Sequence, residues 1–340
     1  MNAVVRIGID LAKDVFHVYA VDRHEHLVFS RNMTRRQLRE LLATLPPCMV
    51  ATESCGTAHH WARYARQFGH EAHIVASHYV TPYRKGNKHD AADAEAICEA
   101  AGRPNMRFVP AKDIEQQDIQ CLHRVRQRRM EERTALINQM RGLLLEFGVP
   151  VRLGPGGLRR AVPVILNEPR HELSDRGRRL IAELYNEWMA LEQWIAAVDR
   201  EIQNVFRASE ACQRLAKIGG IGPLTSTALV AAVGNATEFS NGRHLAAWLG
   251  LVPRQHSSGG QQRLLGISKR GDCYLRSLFI HGARALLKVA GRRSDPIAGW
   301  AINVAARRSF NVATVALANK NARIAWAMLA RGEAFRPARS

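Results

Sequence analysis

Residues 4–33 read VVRIGIDLAKDVFHVYAVDRHEHLVFSRNM, and they set the architecture of the first third of the chain. VVRIGID (4–10) and VFHVYAVD (15–22) are rich in β-branched and aromatic residues, with AKD (12–14) as a short turn between them. HLVFSRNM (26–33) follows RHE at turn distance. Such residues suit a pleated, half-buried surface, and short polar turns join antiparallel neighbours. The segment is expected to be a three-strand meander.

Working outward, Thr34 is placed to cap a helix whose Leu38, Leu41, Leu42 and Leu45 share one face. CMVATE (48–53) reads as a buried strand, TAHHWARYARQFG (57–69) as a helix closed by Gly69, and EAHIVAS (71–77) as a fifth strand. A basic connector, YRKGNKH (83–89), leads into a helix that opens at NKHDAADAEA (87–96). The order β-β-β-α-β-α-β-α is that of the RNase H-like fold. Asp10 then ends the central first strand and Glu53 ends the next buried strand. Ligands of open α/β sheets gather at strand carboxyl ends. Asp90 and Asp93 stand three apart, so they lie on one helical face. Taken alone they are ordinary first-turn aspartates, favoured by the helix dipole. Four acids in this order on these elements point instead to a cation site. An all-oxygen, carboxylate-rich donor set suits Mg²⁺ or Mn²⁺, and such ions act on phosphodiesters.

Residues 112–148 read as helix with a loose apolar stripe, followed by a Pro/Gly-rich break over 149–163. A second long helix runs from Ser174 to about Phe206. Its apolar residues, Ile181, Leu184, Trp188, Leu191, Ile195, Val198, Ile202 and Val205, step alternately by three and four, the heptad pattern of a coiled coil. These helices could pair with each other or with a second subunit; both readings stand at this point. LAKIGGIGPLTSTALVAAVG (215–234) resembles a helix–hairpin–helix. There Gly220 and Gly222 would let backbone amides approach a phosphate, and a helix would open near Thr225. Beyond it, two apolar helical stretches flank a polar loop carrying Arg254, Ser257, Ser258, Gly259, Gly260, Arg263, Lys269 and Arg270. The plain reading is a flexible Ser-Gly turn. The chemical reading is a serine nucleophile among arginines that bind phosphate and offset developing charge.

Charge separates the ends of the chain. Of a net +19, residues 1–100 contribute only +1, whereas residues 241–340 carry 17 lysines and arginines against 3 acids. That end also holds apolar helical patterns, so it is expected to be a folded, basic, nucleic-acid-binding domain. The 340 residues imply more than one domain. The six cysteines form no CxxC pair, which argues against a zinc site or disulfide framework and fits a reducing cytoplasm. No apolar run approaches a membrane span, and the N-terminus does not resemble a signal peptide.

Together GIDLAK, ATES, KHDAADAEA, IGGIGPLTS, GLVPRQHSSGG and GISKRGD resemble the DEDD transposases of insertion-sequence family one-ten, the group that includes the Piv and MooV invertases. GLVPRQHSSGG followed by GISKRG is similar to the eleven-eleven subgroup. The resemblance implies an α/β plus α architecture in three parts. These are an RNase H-like, RuvC-resolvase-like catalytic domain over 1–110, a coiled-coil helical segment over 111–210, and a mainly helical transposase domain over 211–340. It maps an acidic tetrad onto Asp10, Glu53, Asp90 and Asp93 and a nucleophilic serine onto Ser258, with Ser257 one residue away. It further implies donor and target DNA as partners, a structured non-coding guide RNA, a dimer or tetramer, and a bacterial cytoplasm with nucleoid association. Without the resemblance the residues lead only to a cation-dependent phosphodiester-processing protein. Two other functions compete: a metal-dependent, junction-resolvase-like nuclease, and a non-catalytic nucleic-acid-binding regulator.

Overall fold

A computed structural model describes residues 3–85, 89–168, 173–293, 295–333 and 335, so residues 86–88 of the basic connector lie outside the described residues. The chain forms two compact units, Met1–Ile114 with Val233–Glu238, and Glu115–Ala232 with Phe239–Ser340.

In the first unit the expected meander is present as β1 (Arg6–Asp10), β2 (Val15–Val21) and β3 (Leu27–Thr34). Then follow α1 (Arg35–Thr44), β4 (Met49–Glu53), α2 (Ala58–Gln67), β5 (Glu71–Val75), the short α3 (Ser77–Val80), α4 (Asp90–Ala101) and β6 (Phe108–Val109). The strands form one mixed sheet in the order β3-β2-β1-β4-β5-β6. β1 is antiparallel to β2 and parallel to β4, and β4 is parallel to β5. Thr34 caps α1 as expected. Its hydroxyl accepts from the Gln37 amide at 3.4 Å, and the Gln37 side chain accepts from the Thr34 amide at 2.8 Å, a reciprocal capping box.

Period-two alternation divides the sheet between two layers. Ile7, Ile9, Phe16 and Val18 pack with Leu38 and Leu42 of α1 and Trp61 and Ala65 of α2. The opposite face sends Ala51 and Val75 against Ala96, Ile97 and Ala100 of α4. Gly8 belongs to this second face. A methyl group there would collide with the Ala94 carbonyl and the Cys98 backbone, so glycine is what lets α4 lie directly on β1.

The second unit begins with α5 (Ile114–Glu146), α6 (Pro155–Asn167) and α7 (Asp175–Ala208). α6 starts inside the stretch expected to be a break. Gly154, at φ +95°, stops the preceding chain, and Pro155 occupies the first turn, where a missing N–H costs nothing. Ion pairs Arg133–Glu192 and Arg126–Asp199 join α5 to α7. A step of seven along one helix matches seven back along the other, so the pair is antiparallel. On α7, Ile181, Trp188, Leu191 and Ile195 are buried with Leu136, Ile137, Met140 and Leu144 of α5 and Leu158, Val162 and Ile165 of α6. This part of the heptad seam is therefore covered within the chain.

The unit continues through α8 (Glu210–Leu215), α9 (Pro223–Val233), α10 (Gly242–Trp248), β7 (Pro253–Ser258), β8 (Gln261–Ile267), α11 (Cys273–Val289), α12 (Pro296–Arg307) and α13 (Phe310–Arg331). α13 packs against α10, α11 and α12. Where a polar loop was expected, β7 and β8 form a two-stranded antiparallel hairpin. Gly259 and Gly260 make its turn with φ +56° and +79°, the backbone that a two-residue hairpin turn demands. Among the described residues no helix is long and apolar enough to cross a membrane.

Candidate active site

The parallel register of β1 and β4 pairs Gly8 with Ala51 and Ile9 with Thr52. One step further places Asp10 beside Glu53 at the carboxyl ends of adjacent strands, which lie about 4.8 Å apart. Asp10 shares its face with Gly8, and Glu53 with Ala51, so both acids face the α4 layer. α4 runs antiparallel to β1. Gly102, after its last turn, adjoins the Arg6 side chain, and Ala94 and Cys98 lie over Gly8. Two residues further along β1, Asp10 comes level with the first turn of α4, which carries Asp90 and Asp93. The topology thus sets Asp10 beside Glu53 at the carboxyl ends of two interior strands, on the face that α4 covers with the turn carrying Asp90 and Asp93.

Helix α4 is capped by His89, whose Nδ1 accepts from the Ala92 amide at 3.2 Å. Asp90 is exposed and Asp93 buried. The Arg84 guanidinium donates to Asp93 at 3.1 Å, placing a cation against the acid cluster. Among the described residues no group of three or more histidine, cysteine or acidic side chains is arranged to hold a metal ion. Asp10 and Glu53 are adjacent across the strands, but the four acids do not form a closed cage. Their chemistry, carboxylate oxygen alone, suits a hard divalent cation. Arg84 was not anticipated from the sequence, where it reads only as part of a basic connector.

In the second unit, cross-strand pairing sets Ser258 against Gln261, Ser257 against Gln262, and His256 against Arg263. Partners across an antiparallel pair share a face, as do residues two apart. Ser258 therefore shares its face with His256 and Arg263. Ser257 lies on the other face with Gln255, whose side-chain amide donates to the Ser257 hydroxyl at 2.7 Å. Every residue of β7 is exposed. The foot of the hairpin is laced by bonds from the Ser268 amide to Val252 at 2.8 Å and from the Lys269 amide to Gly250 at 3.2 Å. Among the described residues, Arg254, Arg263, Lys269 and Arg270 make no ion pair with a carboxylate.

The helix–hairpin–helix segment is arranged differently from the phosphate cradle that its glycines suggest. Gly220, at φ +88°, sits against α11, where an added Cβ would stand 2.7 Å from the Gly282 carbonyl oxygen. Asn321 donates to the Gly219 carbonyl at 2.8 Å. Thr225 is buried, and only Gly222 has open space where a side chain would go. The nearby Thr227 belongs to a polar cluster that sequence reading did not foresee. His123 of α5 bonds Tyr274 of α11 at 2.9 Å and Thr227 of α9 at 3.0 Å. Burial and the charge of Arg126 push His123 down to about 4, against a smaller opposing pull from Asp199.

Comparison with known proteins gives these features a family. Residues 7–149 match the DEDD_Tnp_IS110 family model, described as a transposase, and residues 212–296 match the model described as "Transposase IS116/IS110/IS902 family". A Pseudomonas aeruginosa protein named "Probable family 20 transposase" is 51% identical over 333 residues, 98% of each chain. The transposase for insertion sequence element IS1111A of Coxiella burnetii is 43% identical over 336 residues, 99% of this chain and 92% of that one. The transposase for IS1328 of Yersinia enterocolitica is 40% identical, covering 98% of this chain and 99% of its own. The chain belongs to the IS110 family of transposases, and it is a DNA transposase of an insertion sequence.

Proposed function

We propose that this transposase cuts and rejoins DNA with a carboxylate metal site on an RNase H-like unit and with Ser258 as its nucleophile. The observation that carries the reading is the register that sets Asp10 beside Glu53 across from the first turn of α4. Asp10, Glu53, Asp90 and Asp93 would hold Mg²⁺ or Mn²⁺, which supplies charge neutralisation at the reacting phosphate. Arg84 engages only Oδ1 of Asp93, so the second carboxylate oxygen would remain for a cation. The hairpin supports Ser258 over Ser257, because Ser258 shares a face with His256 and Arg263. Arg263 is placed to bind a phosphate oxygen, and His256 to accept the serine proton. In the step envisaged, Ser258 Oγ bonds to phosphorus and the bond from phosphorus to one deoxyribose oxygen breaks. That oxygen leaves as an alcohol, and the phosphoserine link keeps the bond energy for rejoining.

The strongly basic segment 241–340 would hold nucleic-acid backbones, Gly222 being the part of the GGIG turn that remains open to a phosphate. In this reading an element-encoded structured RNA pairs with donor and target DNA, residues 111–210 form a scaffold, and a dimer or tetramer acts on the bacterial nucleoid. The test is covalent trapping on a nicked or mismatched substrate, with the adduct mapped by mass spectrometry. The adduct is expected on Ser258, to vanish in Ser258→Ala, and to persist in Ser257→Ala. Omitting divalent cation, or Asp10→Asn, should abolish strand cleavage. Recombination by Ser258→Ala with no adduct would end the serine mechanism and favour a metal-dependent nuclease of the junction-resolvase kind.

A further inference from the structure

The N-terminal hundred residues are nearly neutral as a segment, yet the two helices on one face of the sheet carry an excess of arginine. The acids Asp10, Glu53 and Asp93 gather with α4. On the other side, α1 and α2 together carry five arginines and one glutamate, and that glutamate, Glu40, is engaged by Arg36 at 3.0 Å. Arg35, Arg39 and Arg63 have no carboxylate partner among the described residues.

These guanidinium groups are also held in place. Arg35 lies 5.4 Å from the ring centres of both Phe16 and Trp61, and Arg39 lies 4.9 Å from that of Tyr64. Arg35 and Arg63 are further tied by single bonds to the carbonyls of Lys13 at 3.1 Å and Lys112 at 2.5 Å. A stacked guanidinium presents its edge outward and keeps most of its five donors for an incoming anion. His60 stacks on Tyr64, with ring centres 6.4 Å apart. Burial, together with the charges of Arg63, Arg35 and Arg39, holds the imidazole below its ordinary value. A pre-ordered cluster of three like charges without counter-ions is costly for a free protein and suits a polyanion.

We propose that this face, built from Arg35, Arg39, Arg63 and His60, is a second contact surface for the phosphate backbone of duplex DNA. Duplex is favoured over single strands because the two rings beneath Arg35, Phe16 and Trp61, are buried. Trp61 is 1% exposed, so it cannot serve as a stacking platform for unpaired bases. The face lies across the sheet from Asp10 and Glu53, so it grips DNA away from the bonds being cut. The inference rests on the family's action on DNA and not on Ser258 or a metal.

The test measures binding of the full chain to a duplex as a function of salt. Each lost phosphate contact removes about 0.9 from the log–log slope for B-DNA. The triple variant Arg35→Gln, Arg39→Gln, Arg63→Gln should flatten the slope by about 2.7, and the matching lysine variant should keep it. The loss should add to that of an Arg263, Lys269 and Arg270 variant, because the two surfaces meet different phosphates. Should the triple variant melt early, Arg39→Gln alone, at an exposed position, should still remove about 0.9. An unchanged duplex slope in both variants overturns the proposal, as does a change seen only with single strands or only with double-stranded RNA.

Discussion

Replacing His123 by phenylalanine should remove a large part of the acid sensitivity of the second unit. The proton inventory of this site is closed. Thr227 donates its hydroxyl to the Pro223 carbonyl at 2.7 Å, so it accepts from Nε2–H of His123, and Nδ1 then accepts from the Tyr274 hydroxyl. That arrangement needs neutral imidazole. The folded value of about 4 lies below the roughly 6.5 of an unfolded histidine. The unfolded chain therefore binds more protons between those limits, and stability falls as pH drops through that window. For this pair of values, wild type should lose about 2 kcal/mol between pH 7 and pH 5 and about 3 kcal/mol by pH 4 from His123 alone. His123→Phe keeps most of the volume and loses two hydrogen bonds, so it should be about 2 kcal/mol less stable at pH 7. Urea unfolding followed by circular dichroism at pH 7, 6, 5 and 4.5 should show the gap closing to near zero by pH 5. A gap that stays constant over this range would refute the buried, neutral assignment.

Two further outcomes follow from packing. Gly8→Ala should force α4 away from β1, cost about 1–3 kcal/mol as an overpacked contact, and separate Asp10 from Asp90 and Asp93. Strand cleavage should therefore fall far more than the melting temperature does, and equal activity would show that α4 need not lie so close. Leu191→Asp with Ile195→Asp introduces charges into the seam shared by α5, α6 and α7, at several kcal/mol each. The second unit should unfold at every protein concentration, whereas a folded monomer would place the essential use of this seam between subunits.

The amino-acid sequence alone was enough for the meander, the order of crossovers and the strand ends that carry Asp10 and Glu53. Those features arise from alternation and turn spacing within a few residues. The heptad stripe of α7 was legible for the same reason, but not its partner, because any apolar face would satisfy it. The β7–β8 hairpin was invisible as strand: its exposed polar residues have no core to impose a period of two, and only the paired glycines hinted at the turn. α6 was hidden by a Pro-Gly composition that is harmless in a first helical turn. Gly220 read as a phosphate cradle because glycine marks any close backbone approach, and only the fold reveals that the approaching group is Gly282 of α11. Likewise His123, Tyr274 and Thr227 meet from three helices, and Arg84 reaches Asp93 from a connector. The arginines of α1 and α2 were lost in a segment sum near zero. Charge counted along a chain carries no record of which side of a sheet it ends on, and that side is decided only when the helices dock.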